Sequence, residues 1–260
     1  MRHANWVDPD AVPHRFGLAE DLPALTSGWH HHRRPQLLYA SEGALRLWAA
    51  DRMVVLPPER AAWIGAGLVH RVEARRPVRL RTVYFLPEDE PVPGSLVVFS
   101  APTLLTALAV HVCGWGPAPP MSPEGEPLLA AFAALATRWR AEPLAVELRA
   151  ASSPELERAL LFLVDHLDRP VAITQAARAG GLSVRTLQRR CREELGSSLR
   201  SWLAQARIVR ALELLADPGL SVGEVALRTG HASPASFSRA FTAAMGTPPT
   251  RWRARVGPAP

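Results

Sequence analysis

The sequence predicts an α+β multidomain chain: an N-terminal antiparallel β-barrel, a helical linker, and a C-terminal all-α domain holding two helix-turn-helix units. Three observations predict it. Between Leu37 and Leu86, short apolar or alternating runs are broken by turn formers. After Pro102 the texture changes to Ala and Leu at helical spacing, and in the last third one stretch of about 50 residues is written twice. The expected boundaries are 1–100 for the barrel, 101–152 for the linker and 153–260 for the helical domain.

In the first segment the runs QLLYA, ALRLWAA, MVVLPP, AAWIGAG, HRVEA and VRLRTVYFLP follow one another at strand length. That spacing suits an antiparallel sandwich or barrel. The linker offers LLTALAVHVCGW and EPLLAAFAALATRWRAE, two amphipathic helices around the Pro-rich loop GPAPPMSPEGEP, and these are candidates for a dimer contact. A further helix starts near Ser153, where Ser-Pro-Glu-Leu-Glu supplies an N-cap, a Pro at the first helical position and early acids, and it stops before Pro170.

The repeat comprises ARAGGLSVRTLQRRCREELGSSLRSW from Ala177 to Trp202 and ALRTGHASPASFSRAFTAAMGTPPTRW from Ala226 to Trp252. From the serine onward the offset is 50 residues, pairing Ser183 with Ser233, Leu187 with Phe237, Arg189 with Arg239 and Trp202 with Trp252. Upstream it is 49, pairing Ala177 with Ala226 and Gly181 with Gly230, so the slip falls in the turn between Gly and Ser. In each copy a short helix with an inward Ala ends at Gly, which tolerates a positive φ, and the serine caps the next helix. Leu187, Cys191 and Leu195, like Phe237, Phe241 and Met245, form one stripe toward the core. The opposite face holds Arg185, Gln188, Arg189 and Arg192 in the first copy, and Ser236 and Arg239 in the second. Arg and Gln are the side chains that make paired hydrogen bonds to guanine and adenine edges in the major groove. Between the copies, Ser198 to Ala216 reads as one helix, a rod of roughly 28 Å that would set the two units about one ~34 Å DNA turn apart.

Charge follows the same division. Residues 170–260 carry 13 Arg against 5 acids, whereas residues 1–169 carry 17 Arg against 19 acids, so the net positive charge lies in the repeat region. A basic domain beside a near-neutral one is the footprint of a nucleic-acid binder. The N-terminus MRHANWVDPD has no apolar core of signal-peptide length, and no run approaches the ~18 apolar residues of a membrane span. Cys113 and Cys191 are isolated, which fits a reducing compartment. A cytoplasmic, nucleoid-associated protein with no membrane partner is expected.

Residues from about Leu156 to Arg253 resemble the DNA-binding domain of the AraC family of bacterial transcription regulators. The resemblance is carried by ARAGGLSVRTLQRRCREELG, by WLAQARIVRALELLADPGLSVGEVA, and by RTGHASPASFSRAFTAAMGTPPTRWR. It implies base contacts from Arg185, Gln188 and Arg189 in the first unit and from Ser236 and Arg239 in the second. Cys191 and His231 stand where that family commonly has aromatics, which predicts slightly looser packing.

In the first domain His30, His32, Gln36 and Gly43 stand as His-x-His-x3-Gln-x6-Gly, and Gly65-x-Gly67-x2-His70 follows. This resembles the two motifs of the cupin β-barrel, with Gln36 in place of the glutamate of the metal-binding members. Imidazoles at i and i+2 on a strand share a face, so His30 and His32 would look into the barrel with His70 opposite. Such a set suits a divalent transition metal, with Gln36 as a further candidate ligand. Trp29, Trp48 and Trp63 are candidates to line the same pocket.

The combined expectation is a sequence-specific regulator, with no catalytic residue, that binds double-stranded promoter or operator DNA. Its cupin-like domain would sense a small molecule or a divalent metal, and RNA polymerase and a second copy of the chain are candidate partners. The alternative is a cupin-type metal-dependent enzyme, a dioxygenase or isomerase, fused to a DNA-tethering domain. Loss of the carboxylate at position 36 weighs against it.

Overall fold

The computed structural model describes residues 7–49, 52–58, 60–74, 76–90, 93–117, 123–141, 148–169 and 171–256. Pro170 and the centre of the Pro-rich loop, 118–122, lie outside the described residues. The chain divides into two compact units, one within Met1–Ala50 and Val55–Ala145, the other within Asp51–Val54 and Val146–Pro260.

The first unit is built on antiparallel strands: β1 (Phe16–Leu22), β2 (Leu25–Thr26), β3 (Gln36–Glu42), β4 (Leu45–Ala49), the end of β5 (Arg52–Leu56, of which residues 52–54 belong to the second unit), β6 (Arg60–Ile64), β7 (His70–Ala74), β8 (Val78–Tyr84) and β9 (Leu96–Ser100). One sheet has the order β1-β8-β3-β6-β9, and a second includes β4-β7-β2. The expected antiparallel sandwich or barrel is thus present as two sheets. The strands β3 to β8 fall on the six runs read from the sequence, whereas β1, β2 and β9 lie outside that window. β1 carries Glu20 and Asp21 on a short FGLAEDL run, and its pairing with β8 along the whole length from Phe16↔Tyr84 to Leu22↔Val78 makes it a strand.

Alternation along the first sheet sorts its side chains. Leu37, Tyr39, Trp63, Val83 and Phe85 share one buried cluster with Leu105, Ala109, Val112 and Cys113 of α1 (Thr103–Cys113) and Leu129, Phe132, Ala133 and Ala136 of α2 (Gly125–Trp139). Their neighbours Gln36, Leu38, Leu80, Thr82 and Tyr84 face the other way, into a cavity. A sheet covered on both faces needs near-continuous apolar strands, which is why RAAWI of β6 is buried throughout. The segment expected to be a linker is thus divided. Both helices lie on the first sheet because each buries an apolar face there, and the boundary between the units falls after Ala145.

In the second unit β10 (Leu148–Arg149) pairs with Arg52 and Met53. Seven helices follow: α3 (Pro154–Asp165), α4 (Ile173–Ala179), α5 (Val184–Leu195), α6 (Leu199–Leu215), α7 (Val222–Arg228), α8 (Pro234–Met245) and α9 (Pro249–Val256). The two copies close their turns identically. Leu182 N–H donates to Ala177 O at 2.8 Å, and His231 N–H donates to Ala226 O at 3.0 Å. Gly181 (φ 69°) and Gly230 (φ 72°) supply the left-handed residue that such a helix ending requires. The slip comes immediately afterwards: one residue, Leu182, separates the glycine from the capping Ser183, and two residues, His231 and Ala232, separate it from Ser233. Both serines accept a hydrogen bond from the backbone N–H three residues on, at 3.1 and 3.2 Å.

Leu187, Cys191 and Leu195 are buried, as are Phe237 and Phe241, while Met245 is half-buried. The His231 ring lies edge-on to Phe237 at 5.2 Å, so that position keeps an aromatic contact. The matched Trp202 and Trp252 close the two cores: the indole N–H of Trp202 donates to Arg149 O at 2.9 Å, and Trp252 packs edge-on to Phe241 at 6.0 Å.

Ser153 precedes α3 as expected, but its hydroxyl does not cap that helix. It is engaged by α5 instead, donating to Glu194 Oε1 at 2.7 Å and accepting from Arg190 at 2.9 Å. Glu194 also accepts from the backbone N–H groups of Ser152 and Ser153 at 3.0 and 2.8 Å, so a side chain of α5 holds the chain at the entry to α3. Burial alone would raise the Glu194 carboxyl, but its hydrogen bonds from Ser153 and Ser152 hold it below the ordinary carboxylate range. A carboxyl lowered by folding stabilises above its unfolded value, about 4.3, and ceases to do so as the pH falls. Glu194→Ala should therefore cost about 0.5–1 kcal/mol at pH 7, solvent screening keeping it small, with the difference from the parent shrinking toward pH 3. Thermal melts at the two pH values check this, and a pH-independent difference would contradict it.

Candidate functional site

Two sites emerge, one in each unit. On α5 the side chains of Arg185, Gln188, Arg189 and Arg192 are exposed, on the side away from Leu187 and Cys191. Arg190, between them in sequence, turns inward to pair with Glu155 at 2.9 Å. On α8 Arg239 is exposed at the position matching Arg189. Ser236 is half-buried, and its hydroxyl donates to Ser233 O at 2.8 Å, so most of its hydrogen-bonding capacity serves the cap. Arg189 pairs with Glu193 one turn along, at 2.6 Å, both side chains being more than half exposed. An exposed i,i+4 pair is worth only about 0.3–0.5 kcal/mol, so it readily yields to a better acceptor. The helix between the copies, α6, has 17 residues and begins at the capping Ser198.

The second site is the cavity between the sheets of the first unit, about 590 Å³, lined by both apolar and polar residues. At its polar end stand His30, His32, Gln36, Thr82 and Tyr84. His70 joins them: one ring nitrogen from each of His30, His32 and His70 lies within 4.8 Å of the others. The backbone dictates this gathering. His30 and His70 exchange both backbone hydrogen bonds, at 2.9 Å each, in an isolated antiparallel bridge, which brings their rings to 4.2 Å. Gly67, at φ 77°, donates its N–H to His32 O at 2.8 Å and ties the second motif to the first. Gly65 fits because a Cβ there would lie 2.4 Å from the Glu90 carboxylate, which holds Ala66 N–H at 2.7 Å and the Trp63 indole at 3.2 Å.

The geometry departs from the expected one in two respects. His30 and His32 are not carried on a continuous strand, since His32 lies in the irregular segment before β3. His70 is the cross-strand neighbour of His30, not its opposite number across a barrel. Of the three tryptophans, Trp29 lines the cavity and is 55% exposed. Trp48 stacks under Arg71 at 4.9 Å, and Trp63 sits in the cluster beneath the helices, because its register on β6 places it with Leu37.

Every one of the three imidazoles has its Nδ1 against a backbone carbonyl two residues away: Gly28 for His30 at 3.1 Å, Arg34 for His32 at 2.6 Å and Leu68 for His70 at 2.8 Å. A carbonyl only accepts, so the Nδ1 of His30 and of His70 carries the proton and the Nε2 keeps a lone pair, whereas His32 has an acceptor oxygen at each ring nitrogen, Arg34 O and Gln36 Oε1. Burial is the main cause that lowers all three pKa values, His70 to about 3, so these rings stay neutral near pH 7. The Nε2 of His70 is buried without a hydrogen-bond partner. Gln36 donates its amide N–H to Thr82 Oγ1 at 2.8 Å and to the Tyr84 hydroxyl at 3.3 Å, which turns its Oε1 to within 3.1 Å of His32 Nε2. Sequence reasoning missed Thr82, Tyr84 and Glu20. Thr82 and Tyr84 at i and i+2 of one strand were the available signal, as were Leu18 and Glu20 on β1.

Comparison with known proteins fits both sites. Residues 176–255 match the model of a helix-turn-helix domain, and residues 12–91 match that of the AraC-like ligand binding domain. The chain belongs to the AraC family of transcription regulators. Over 97% of its length it is 26% identical to the HTH-type transcriptional regulator NimR of Escherichia coli, covering 92% of that protein. It is 29% identical to the regulator ExsA of Pseudomonas aeruginosa over 64% of this chain and 59% of that one. Among solved structures, the DNA-binding domain of AdpA in complex with a target DNA is 32% identical over 40% of this chain and 93% of that chain, with a TM-score of 0.37. This AraC-family chain is a DNA-binding transcription regulator with a ligand-binding N-terminal domain, and not an enzyme. Among the described residues no helix is long and apolar enough to cross a membrane.

Because Glu193 competes for Arg189 and adds a negative charge to the basic face, Glu193→Ala should tighten DNA binding by about 2- to 5-fold at low salt. Fluorescence anisotropy with a labelled duplex measures this. An unchanged affinity would place the Arg189 guanidinium away from the DNA.

Proposed function

We propose that α5 and α8 are the reading helices of a regulator that recognises two blocks of promoter DNA about one helical turn apart. Arg185, Gln188, Arg189 and Arg192 contact the first block, and Ser236 and Arg239 the second. The observation that carries this reading is the recurrence of an exposed arginine, Arg189 and Arg239, at the same place after the same turn and serine cap. The first unit contributes more of the discrimination, since Ser236 is largely occupied by its cap. On DNA the protein works in the cytoplasm, beside RNA polymerase. A second copy docks through α1, whose exposed side carries Leu104 and Val110 and whose sequence has no charged residue apart from His111.

The effector enters the cavity of the first unit, and a divalent transition metal is its first component. The residues present fit such an ion: three imidazoles converge, carbonyls hold the protons of His30 and His70 on Nδ1, and the buried Nε2 of His70 has no other partner. His30, His32 and His70 would hold it, with Gln36 Oε1 beside them, and the ion would supply positive charge at a site that otherwise has none.

Selection of bound sequences from a random duplex pool, with and without added zinc or cobalt, tests the whole reading. An asymmetric two-block motif is expected, and Arg189→Ala or Arg239→Ala should each lose about 1–3 kcal/mol on it. Equal losses on random DNA would make both residues phosphate contacts. His70→Ala should abolish bound metal, measured by mass spectrometry of the native protein, while its circular dichroism stays that of the parent.

A further inference from the structure

Apart from its polar end, the cavity offers two kinds of surface. Leu18, Leu25, Leu38, Val72 and Leu80 form apolar walls, and the charged side chains among the described lining residues, Asp8, Asp10 and Glu20, are all acidic. Asp10 is already engaged by the backbone N–H of Arg33 at 2.9 Å and by its side chain at 3.5 Å. By itself such a cavity repels anions. The donor set at the polar end reverses this, because imidazole and amide ligands bring no negative charge to a metal ion. An ion held by them keeps both positive charges, where a glutamate at position 36 would cancel one. Gln36 Oε1, 3.1 Å from His32 Nε2, stands beside the imidazoles that would hold the ion. The structure thus joins a site of undiminished positive charge to a greasy chamber large enough for a small organic molecule.

We propose that the effector is an organic monoanion with an apolar body, which binds head-first toward the ion on His30, His32 and His70 and only when that ion is present. This rests on the metal reading given above. Its apolar body lies against Leu18, Leu38 and Leu80, and Glu20, on the same face of the sheet as Leu18 and opposite Leu80, excludes a second carboxylate. The metal is then a co-receptor, and Gln36 sets the sign of the charge that the pocket accepts.

The test uses the full-length protein loaded with cobalt(II), whose visible bands report the ligands of the ion, and four probes: acetate, benzoate, terephthalate and benzylamine. Benzoate should shift the bands and bind at least about 10-fold more tightly than acetate, since it buries a ring. Terephthalate should bind at least 10-fold more weakly than benzoate, and Glu20→Gln should narrow that gap. Gln36→Glu should retain cobalt but weaken benzoate by about 10-fold or more. In the metal-free protein calorimetry should detect no benzoate binding. Cobalt bound in stoichiometric amount with bands unmoved by saturating benzoate, equal benzoate affinity with and without cobalt, or a preference for benzylamine would each overturn the proposal while leaving the metal site standing. Failure to bind cobalt at all, in a protein with the circular dichroism of a folded chain, would overturn the metal reading on which it rests.

Discussion

The central strands β3 and β6 of the first sheet are buried on both faces, and the chemistry of the N-terminal unit depends on which residue of each neighbouring pair faces which way. Along β3, Leu37 and Tyr39 go to the helices while Gln36 and Leu38 go to the cavity; along β8, Val83 goes to the helices while Thr82 and Tyr84 go to the cavity. A slip of one residue would exchange the two sets and bury Gln36 among aromatic rings. The pairing of Gln36 with both Ile64 and Tyr84 fixes the register, and the packing of α1 and α2 over Leu37, Trp63 and Phe85 enforces it. The amide chain from Tyr84 and Thr82 through Gln36 to His32 is therefore anchored by a hydrophobic core that lies on the other side of the sheet.

The second unit solves a different problem, which is to present two short helices rigidly while burying little of either. Its answer is the closing turn. The glycine and the bond from the following residue to the buried Ala fix where each short helix stops, and the serine cap fixes where the next begins. Around this shared device both turns are seated by close backbone approach, since a Cβ would lie 2.5 Å from Glu155 O at Gly180 and 2.0 Å from Leu167 O at Gly230, and α5 is tied in addition to the start of α3 by Glu194 and Arg190.

Much of this was legible in the sequence because periodicity and punctuation survive without an alignment. The repeat showed both turns, both caps and the stripe from Leu187 to Leu195, and the helix from Ser198 to Ala216 corresponds to α6 with its cap at Ser198. What was not legible depended on long-range placement. Trp63 could not be told from a pocket residue until the register of β6 was known, and the hydroxyl of Ser153 could not be known to serve Glu194, which lies 41 residues away. The histidines were visible as a motif, but a one-dimensional string cannot show that separate backbone carbonyls lie against the Nδ1 of each ring.

The one-residue slip has a further meaning for how such a domain can be recombined. Since both turns are identical up to Leu182 and His231 and diverge only in the residues before the serine, the segment that carries its own cap and stop begins at Ser183 or Ser233 and ends at the left-handed Gly196 or Gly246, although only the first carries the Arg190 and Glu194 that tie it to α3. Within those limits a helix from either copy carries its own cap and its own stop. A crossover placed upstream, at the buried Ala, would also transfer the wrong loop length, and with it the angle at which the helix leaves the scaffold.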